Sequence, residues 1–155
     1  MNSDDLVPLL PPTQMPAVRS DTDLHRTWQA LVGALGFTDR RLWLLFLDGR
    51  ARPCGPLLQI DDLPDGPWAA SPDDLVDLCR DVLDGPGTCA SVAMLLTRPG
   101  PGPWHLADRA WARFLTTVAE RVGAGVDGRP WPVHRAHDVA LERVDPDDLR
   151  GRVSA

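Results

Sequence analysis

The stretch that decides the fold is TCASVAMLLTRPGPGPWHLADRAWARFLTTVAERVG, residues Thr88 to Gly123. It begins with an apolar run at about Ala90 to Leu96, continues through a loop of prolines and glycines, and ends in an amphipathic helical pattern. In open α/β sheets, the loop that leaves the carboxyl end of a central strand is a common place for a functional site. This loop offers one arginine, one histidine and one aspartate. It therefore lacks a complete set of metal ligands and lacks a nucleophile with its base.

Two further helices are predicted before this stretch. The polar run from Ser20 to Asp23 supplies N-caps, and apolar residues then recur on one helical face until Gly36 ends the first helix. Ser71 and Pro72 begin the second helix as N-cap and first residue, and Gly85-Pro86 ends it. The helix of the opening stretch is expected to bury its own apolar face, which consists of Trp111, Phe114, Leu115, Val118 and Val122.

Four more strands complete the predicted sheet. The continuous apolar run from Leu42 to Leu47 predicts a central strand buried on both faces, and Leu57 to Ile60 predicts its hairpin partner. Two short candidates follow the last helix, Pro132 to Ala136 and Val139 to Val144. The order α-β-β-α-β-α-β-β predicts an α/β fold, a three-layer sandwich around a mixed sheet.

Composition limits the classes of function. The 155 residues suit one domain, predicted at residues 20–149, with a proline-rich flexible segment at 1–19 outside the core and a flexible tail at 150–155. A net charge of −6 without a basic cluster argues against nucleic-acid binding. Neither a signal-peptide pattern nor a run of about 20 apolar residues occurs, so we expect no membrane association and a cytoplasmic location.

The three cysteines are Cys54, Cys79 and Cys89. They are odd in number, widely separated and set in apolar surroundings. We therefore predict that they are small buried hydrophobic residues, with a metal or redox role as the alternative.

The strand that runs into a Pro/Gly loop and then into the helix start Ala107-Asp108-Arg109-Ala110 resembles the JAMM/MPN metalloprotease superfamily, and within it the RadC-like domains. The resemblance covers roughly Leu42 to Val144. In RadC-like domains this strand ends in His-x-His-Pro-Ser-Gly, and an aspartate about eleven residues past the second histidine completes a zinc site. Asp108 stands at the position of that aspartate.

The other positions of the family's zinc site are not retained. The two histidine positions fall on Leu95 and Thr97, or on Leu96 and Arg98. The family's serine is His105, and its general-base glutamate falls near Pro56 or Leu57. A catalytic zinc needs about three protein ligands and a base for its water. The resemblance therefore implies the scaffold without its hydrolytic centre, with no metal and no cofactor.

Individual residues carry a structural and a functional interpretation. Asp108 is expected to interact with the free N–H groups and dipole at the start of its helix. His105, Asp108, His134 and His137 could alternatively form a relocated metal site, although residues three apart in a strand point to opposite faces unless the strand bends. Arg98 could bind a small anion or pair with a local aspartate. Three loop tryptophans could mark an interaction surface or cover the core: Trp68, Trp104 and Trp131.

These observations lead to three hypotheses, of which the first is preferred. The protein is a non-catalytic RadC/JAMM-like domain that acts through a protein partner or by self-association. The first alternative is a hydrolase with a relocated metal centre that uses Asp108, His105 and His134 or His137. The second alternative is a binding module for a small anion at Arg98.

Overall fold

The computed structural model describes residues 16–55, 57–67, 71–85, 87, 89–123, 125–126 and 129–145. Most of the predicted N-terminal segment 1–19 therefore lies outside the described residues. The predicted tail, 150–155, lies wholly outside them. The elements in chain order are α1 (Asp21–Val32), β1 (Arg41–Asp48), β2 (Leu58–Ile60), α2 (Pro72–Leu83), β3 (Cys89–Thr97), α3 (Leu106–Val122), β4 (Gly125–Val126), β5 (Arg129–Pro130), β6 (His134–Ala136) and β7 (Leu141–Arg143). The predicted order is present, and a small ribbon of β4 and β5 is inserted before β6.

The sheet is mixed, as predicted, with the strand order β2-β1-β3-β6-β7. β1 runs antiparallel to both β2 and β3, β3 runs parallel to β6, and β6 runs antiparallel to β7. β3 is the central strand, and the predicted hairpin of β1 and β2 is confirmed. Because β3 and β6 are parallel, their carboxyl ends lie at the same end of the sheet, where Thr97 pairs with Ala136. The loops that follow these two strands therefore start side by side.

The sheet separates two apolar clusters, so β1 is buried on both faces, as its continuous apolar sequence predicts. Alternate β1 residues Leu42, Leu44 and Phe46 belong to the cluster under α2 and α3. The intervening residues belong to the cluster under α1: Trp43, Leu45 and Leu47. One helix on one face and two on the other give the three layers of the predicted sandwich.

Local capping signals set the helix ends. Ser20 caps α1 by accepting a hydrogen bond from the Asp23 N–H (3.1 Å), and Ser71 caps α2 by accepting one from the Asp73 N–H (3.2 Å). The predicted end of the first helix at Gly36 is wrong, because Gly33 takes φ of +72° and ends α1 after Val32. Glycine enters this conformation without the steric cost that a side chain imposes. No helix in the described part of the chain is long and apolar enough to cross a membrane.

The packed core extends into the segment predicted to lie outside it. Val18 is fully buried in the cluster under α1, and its N–H donates to the Ala51 carbonyl (2.7 Å). This contact joins the approach to α1 to the turn after β1. A single valine among prolines carries no periodic signal, so the sequence pattern could not place it inside.

The cysteines do not all behave as predicted. Cys54 and Cys89 form a disulfide with a Cα–Cα distance of 5.7 Å, which corrects their prediction as merely small buried hydrophobic residues. The chain turns back after β1, where the Cys54 N–H donates to the Phe46 carbonyl, and so meets the start of β3. Cys79 is a buried thiol as predicted, and burial raises its pKa to about 11. Disulfides are rare in cytosolic proteins, and the cytoplasmic location stays a prediction.

The inner face of α3 generates a test of this fold. Trp111 is 4% exposed, packs in the cluster under α2 and α3, and donates from Nε1 to the Pro64 carbonyl (2.9 Å). Trp111→Ala should lower the free energy of unfolding by about 3–5 kcal/mol, because it leaves a large cavity. Urea denaturation measures this loss, and Arg109→Ala on the exposed face of α3 is the control. Equal effects of the two substitutions would contradict the assigned inner face.

Candidate functional site

The candidate site lies where the loop after β3 meets the start of α3, and its centre is the carboxylate of Asp108. Asp108 is the third residue of α3 and its side chain is fully buried. The carboxylate accepts from the backbone N–H of His105 (2.8 Å), as the predicted role at the helix start requires. Both of its oxygens also lie 3.1 Å from Nε of Arg98. Asp108 is thus both the local aspartate that pairs with Arg98 and the carboxylate in the first turn of α3.

The guanidinium of Arg98 holds the Pro/Gly loop together. Besides Asp108, it donates to the carbonyl oxygens of Pro99 (3.0 Å), Pro101 (2.8 Å) and Pro103 (2.8 Å). The Arg98 side chain is only 6% exposed. These bonds favour the structural interpretation of Arg98 over the small-anion interpretation, because its donors already have acceptors within the protein.

A second arginine approaches the same carboxylate from another part of the chain. Arg40, just before β1, places Nη2 3.2 Å from Oδ1 of Asp108. Its Nη1 contacts Asp65 Oδ1 (3.4 Å) in the connection between β2 and α2. Asp108 therefore lies between two cations. Burial of an unpaired carboxylate is strongly destabilising, and the two guanidinium groups compensate for this cost.

Trp104 connects this ion cluster to β6 and β7. Its half-buried ring lies 5.1 Å from the guanidinium carbon of Arg98 and 4.4 Å from that of Arg135, both distances within cation–π range. Its Nε1–H donates to Glu142 in β7, which also pairs with Arg135. The Trp104 ring further stacks on His137, with centroids 4.5 Å apart. Trp104 therefore connects parts of the protein to one another and is not a freely exposed contact residue.

His137 belongs to this cluster, and its hydrogen-bond partners determine which ring nitrogen carries the proton. Nδ1 accepts from the backbone N–H groups of Val139 (3.1 Å) and Ala140 (3.2 Å), which leaves the proton of the neutral ring on Nε2. Burial and the nearby charge of Arg98 lower the pKa of His137. His137 is thus a neutral turn-forming residue at neutral pH.

His134 lies elsewhere, on the face of the sheet covered by α1. It is 1% exposed, its ring centroid is 5.7 Å from that of His25 in α1, and Nδ1 lies 3.3 Å from the Pro132 carbonyl. Burial lowers the pKa of His134 from 6.5 to about 4, although the Pro132 carbonyl acts in the opposite direction. The sequence argument that His134 and His137 point apart agrees with these different surroundings.

The predicted residues therefore divide into two groups. The structure brings Arg98 and Asp108 together and sets His137 near Trp104, while His105 is exposed at the start of α3 and His134 faces α1. Among the described residues, no three His, Cys, Asp or Glu side chains are placed to hold a metal ion. His134 therefore lies apart from Asp108, and the relocated metal site of the hydrolase alternative stays a prediction.

The prediction that the loop tryptophans either cover the core or form an interaction surface can also be checked at Trp131. Trp131 is 4% exposed and donates from Nε1 to the Ser91 hydroxyl (3.0 Å), so it covers the core and is not an interaction surface. The sequence shows it between prolines in a loop, and only the tertiary fold brings it over β3. Trp68 lies outside the described residues.

Sequence reasoning did not find Arg40, Arg135, Glu142 or His25. Arg40 is 68 residues from Asp108 along the chain, so no local spacing links the two. Arg135 and Glu142 face each other across the β6–β7 pair, where their registered partners are directly opposite. The Arg135–Glu142 pair could have been predicted from the sequence, since opposite charges on neighbouring strands are a recognised pairing.

A comparison of the sequence with protein-family models finds no matching family, and a search of curated proteins finds no matching relative. The functional argument therefore depends on the geometry described above.

The ion cluster makes a quantitative prediction. Asp108→Ala should lower the free energy of unfolding by about 3–5 kcal/mol, because it leaves the buried guanidinium of Arg98 without its carboxylate. The matched control is Asp73→Ala, which removes an exposed carboxylate from the first turn of α2 and its ion pair with Arg121. That control should cost about 1 kcal/mol or less. Chemical denaturation of both variants tests the difference, and a mild effect of Asp108→Ala would show that the pair contributes little.

The neutral His134 makes a prediction about pH. Its pKa is near 4 in the folded protein and 6.5 as the ordinary value, so the unfolded chain binds more protons between these pH values. Stability from this residue is present above pH 6.5 and is lost as the pH falls towards 4, with a slope of up to about 1.4 kcal/mol per pH unit. His134→Gln should flatten the measured dependence, and the exposed His105→Gln should not. Parallel curves for wild type and His134→Gln would contradict the burial argument.

Proposed function

We propose that the protein is a non-catalytic α/β domain, RadC/JAMM-like in architecture, that acts by binding a protein partner or a second copy of itself. The observation that carries this proposal is the enclosure of Asp108 by Arg98 and Arg40. In the resembled family, the corresponding aspartate binds a zinc ion. Here two guanidinium groups supply the positive charge at that carboxylate.

The direction of side chains supports one of the two alignments with the resembled family. Leu96 belongs to the cluster under α2 and α3, and Arg98, two residues later, reaches Asp108. Leu95, in contrast, belongs to the cluster under α1. The alignment that puts the family's two histidines at Leu96 and Arg98 therefore directs both to the side of the sheet that α3 covers, where Asp108 lies. Under this alignment, an apolar residue and a cation replace the two metal ligands.

This replacement opposes metal binding as well as omitting ligands. A divalent ion at Asp108 would approach the positive charge of Arg98, with which it shares the carboxylate. It would also have to displace the bonds between Arg98 and the carbonyls of the loop. We therefore infer that the arginine stabilises the loop and that the chain has no hydrolytic centre there.

An apolar groove offers a surface for a partner. It has a volume of about 230 Å³ and lies beside β2, which forms one edge of the sheet. Half-buried apolar side chains on its walls include Ile60, Leu63, Leu78 and Phe114. Apolar surface beside a sheet edge suits an apolar segment of another chain, because both side-chain burial and backbone pairing are accessible there.

The test of this proposal is the metal content of protein purified without chelator. Elemental analysis should find zinc far below one ion per chain, because Asp108 is paired with arginines and the other family positions are not ligands. One zinc per chain that is lost in His105→Ala or His134→Ala would contradict the proposal and favour the relocated-site hydrolase.

A second measurement addresses binding. Sedimentation velocity over a range of concentrations reports self-association, and Leu78→Glu in the groove should weaken it. Asp77→Asn, on the exposed side of the same helix turn, is the control. If the wild type is monomeric, self-association is excluded and an external protein partner is the remaining form of the proposal.

A further inference from the structure

A polar cleft with a volume of about 340 Å³ separates α1 from strands β6 and β7. This volume is at the small end of the range of about 300–1,000 Å³ for ligand pockets. The cleft is distinct from the Asp108 cluster and from the apolar groove. All of its lining residues are polar: Asp21, Thr22, His25, Arg26, Gln29, His134 and Arg143.

One wall of the cleft is a polar stripe of α1. Asp21, His25 and Gln29 recur at intervals of four residues, so they lie one above another on the helix. Arg26 lies beside this stripe. The opposite wall is formed by His134 in β6 and Arg143 in β7, which are directly opposite in the strand register.

Two groups in the cleft have binding capacity that the protein does not use. Arg26 is exposed and forms no ion pair or hydrogen bond within the described part of the chain. His134 is almost fully buried, and its Nδ1 faces the Pro132 carbonyl, an acceptor, so Nδ1 carries the proton of the neutral ring. Nε2 then bears a lone pair and has no hydrogen-bond partner among the described residues. A ligand must therefore offer a donor at that atom.

The charge of the cleft favours an anion. Arg143 is paired with Asp21 at 2.9 Å, and Arg26 adds a positive charge that forms no ion pair within the described part of the chain. Two arginines and one aspartate give the cleft a formal charge of +1 with neutral histidines, whereas the whole chain carries −6. A positive concavity on an acidic protein attracts small anions selectively to that place.

We propose that this cleft binds a small oxyanion that also carries a hydroxyl group. The oxyanion contacts Arg26, and the hydroxyl donates a hydrogen bond to Nε2 of His134. The shared chemistry is met by a hydrogen phosphate group and by a small hydroxycarboxylate. This inference extends beyond the proposed binding of a protein partner, since it uses residues of α1, β6 and β7 that do not line the apolar groove.

Paired probes test the requirement for a hydroxyl. At neutral pH, phosphate retains a P–OH donor, whereas sulfate has a similar shape and presents only acceptors. Glycolate and acetate differ in the same way among carboxylates. Titrations followed by amide and histidine ¹⁵N NMR should show phosphate binding more tightly than sulfate, and glycolate more tightly than acetate. The tighter ligand of phosphate and glycolate then identifies the source of the oxyanion.

Two substitutions locate the site. Arg26→Gln should weaken binding of the preferred probe by about tenfold or more, as expected for loss of a hydrogen bond to a charged group. The control is Arg109→Gln, because Arg109 is also an exposed helical arginine whose side chain forms no ion pair in the described part of the chain. His134→Gln should remove the preference for phosphate over sulfate and for glycolate over acetate.

The proposal is overturned if none of the probes shifts the resonances of His25 and His134, or if Arg26→Gln binds as tightly as Arg109→Gln. Equal affinity for phosphate and sulfate, together with equal affinity for glycolate and acetate, also overturns it. Should His134→Gln fail to fold, the comparison of Arg26→Gln with Arg109→Gln and the ¹⁵N shift of His134 Nε2 on titration still decide the outcome.

Discussion

The structure depends on one buried carboxylate, that of Asp108, and on the arginines that make its burial possible. A carboxylate removed from water is strongly destabilising unless its charge and its hydrogen-bonding capacity are both compensated. Arg98 and Arg40 supply the charges, and the His105 N–H supplies a backbone donor. Since these partners come from the approach to β1, the end of β3 and the start of α3, this one group fixes three parts of the chain relative to one another.

Arg98 also supplies hydrogen-bond donors that the Pro/Gly loop lacks because of its composition. Each proline lacks a backbone N–H, so the run Pro99 to Pro103 has more acceptors than donors. Arg98 donates to three carbonyls in this run and so provides the missing donors from a side chain. Asp138, after β6, adds an acceptor for the Gly100 N–H at 2.8 Å and one for the Phe37 N–H at 2.9 Å. The loop is thereby bonded from both neighbouring strand ends, which favours a structural role over a mobile active-site loop.

The features that could be predicted from the sequence are those set by local pattern. The apolar runs predicted β1 and β3, and the polar run from Ser20 to Asp23 and the N-cap Ser71 predicted two helix starts. The features that could not be predicted depend on contacts between distant residues. Arg40 meets Asp108 across 68 positions, and Cys54 meets Cys89 across 35. The JAMM/RadC resemblance stays a prediction, because the sheet and helices of the α/β fold are present but the order specific to that family is not established.

Function in this chain is best sought where polar groups lack partners. Around Asp108, the carboxylate and the guanidinium of Arg98 already have partners within the protein, and the addition of a ligand at the carboxylate would require existing bonds to break. Such a cluster contributes to the fold, and its chemical capacity is already used. Along α1 the situation is reversed, since Arg26 has no ion pair in the described part of the chain and His134 presents an open lone pair beside a cleft. No hydrogen bond to Nε2 of His134 occurs within the described part of the chain, and a ligand that supplies a donor would add one there. These contacts make the polar cleft, as proposed above, a better place to seek a ligand than the position that the family resemblance indicates.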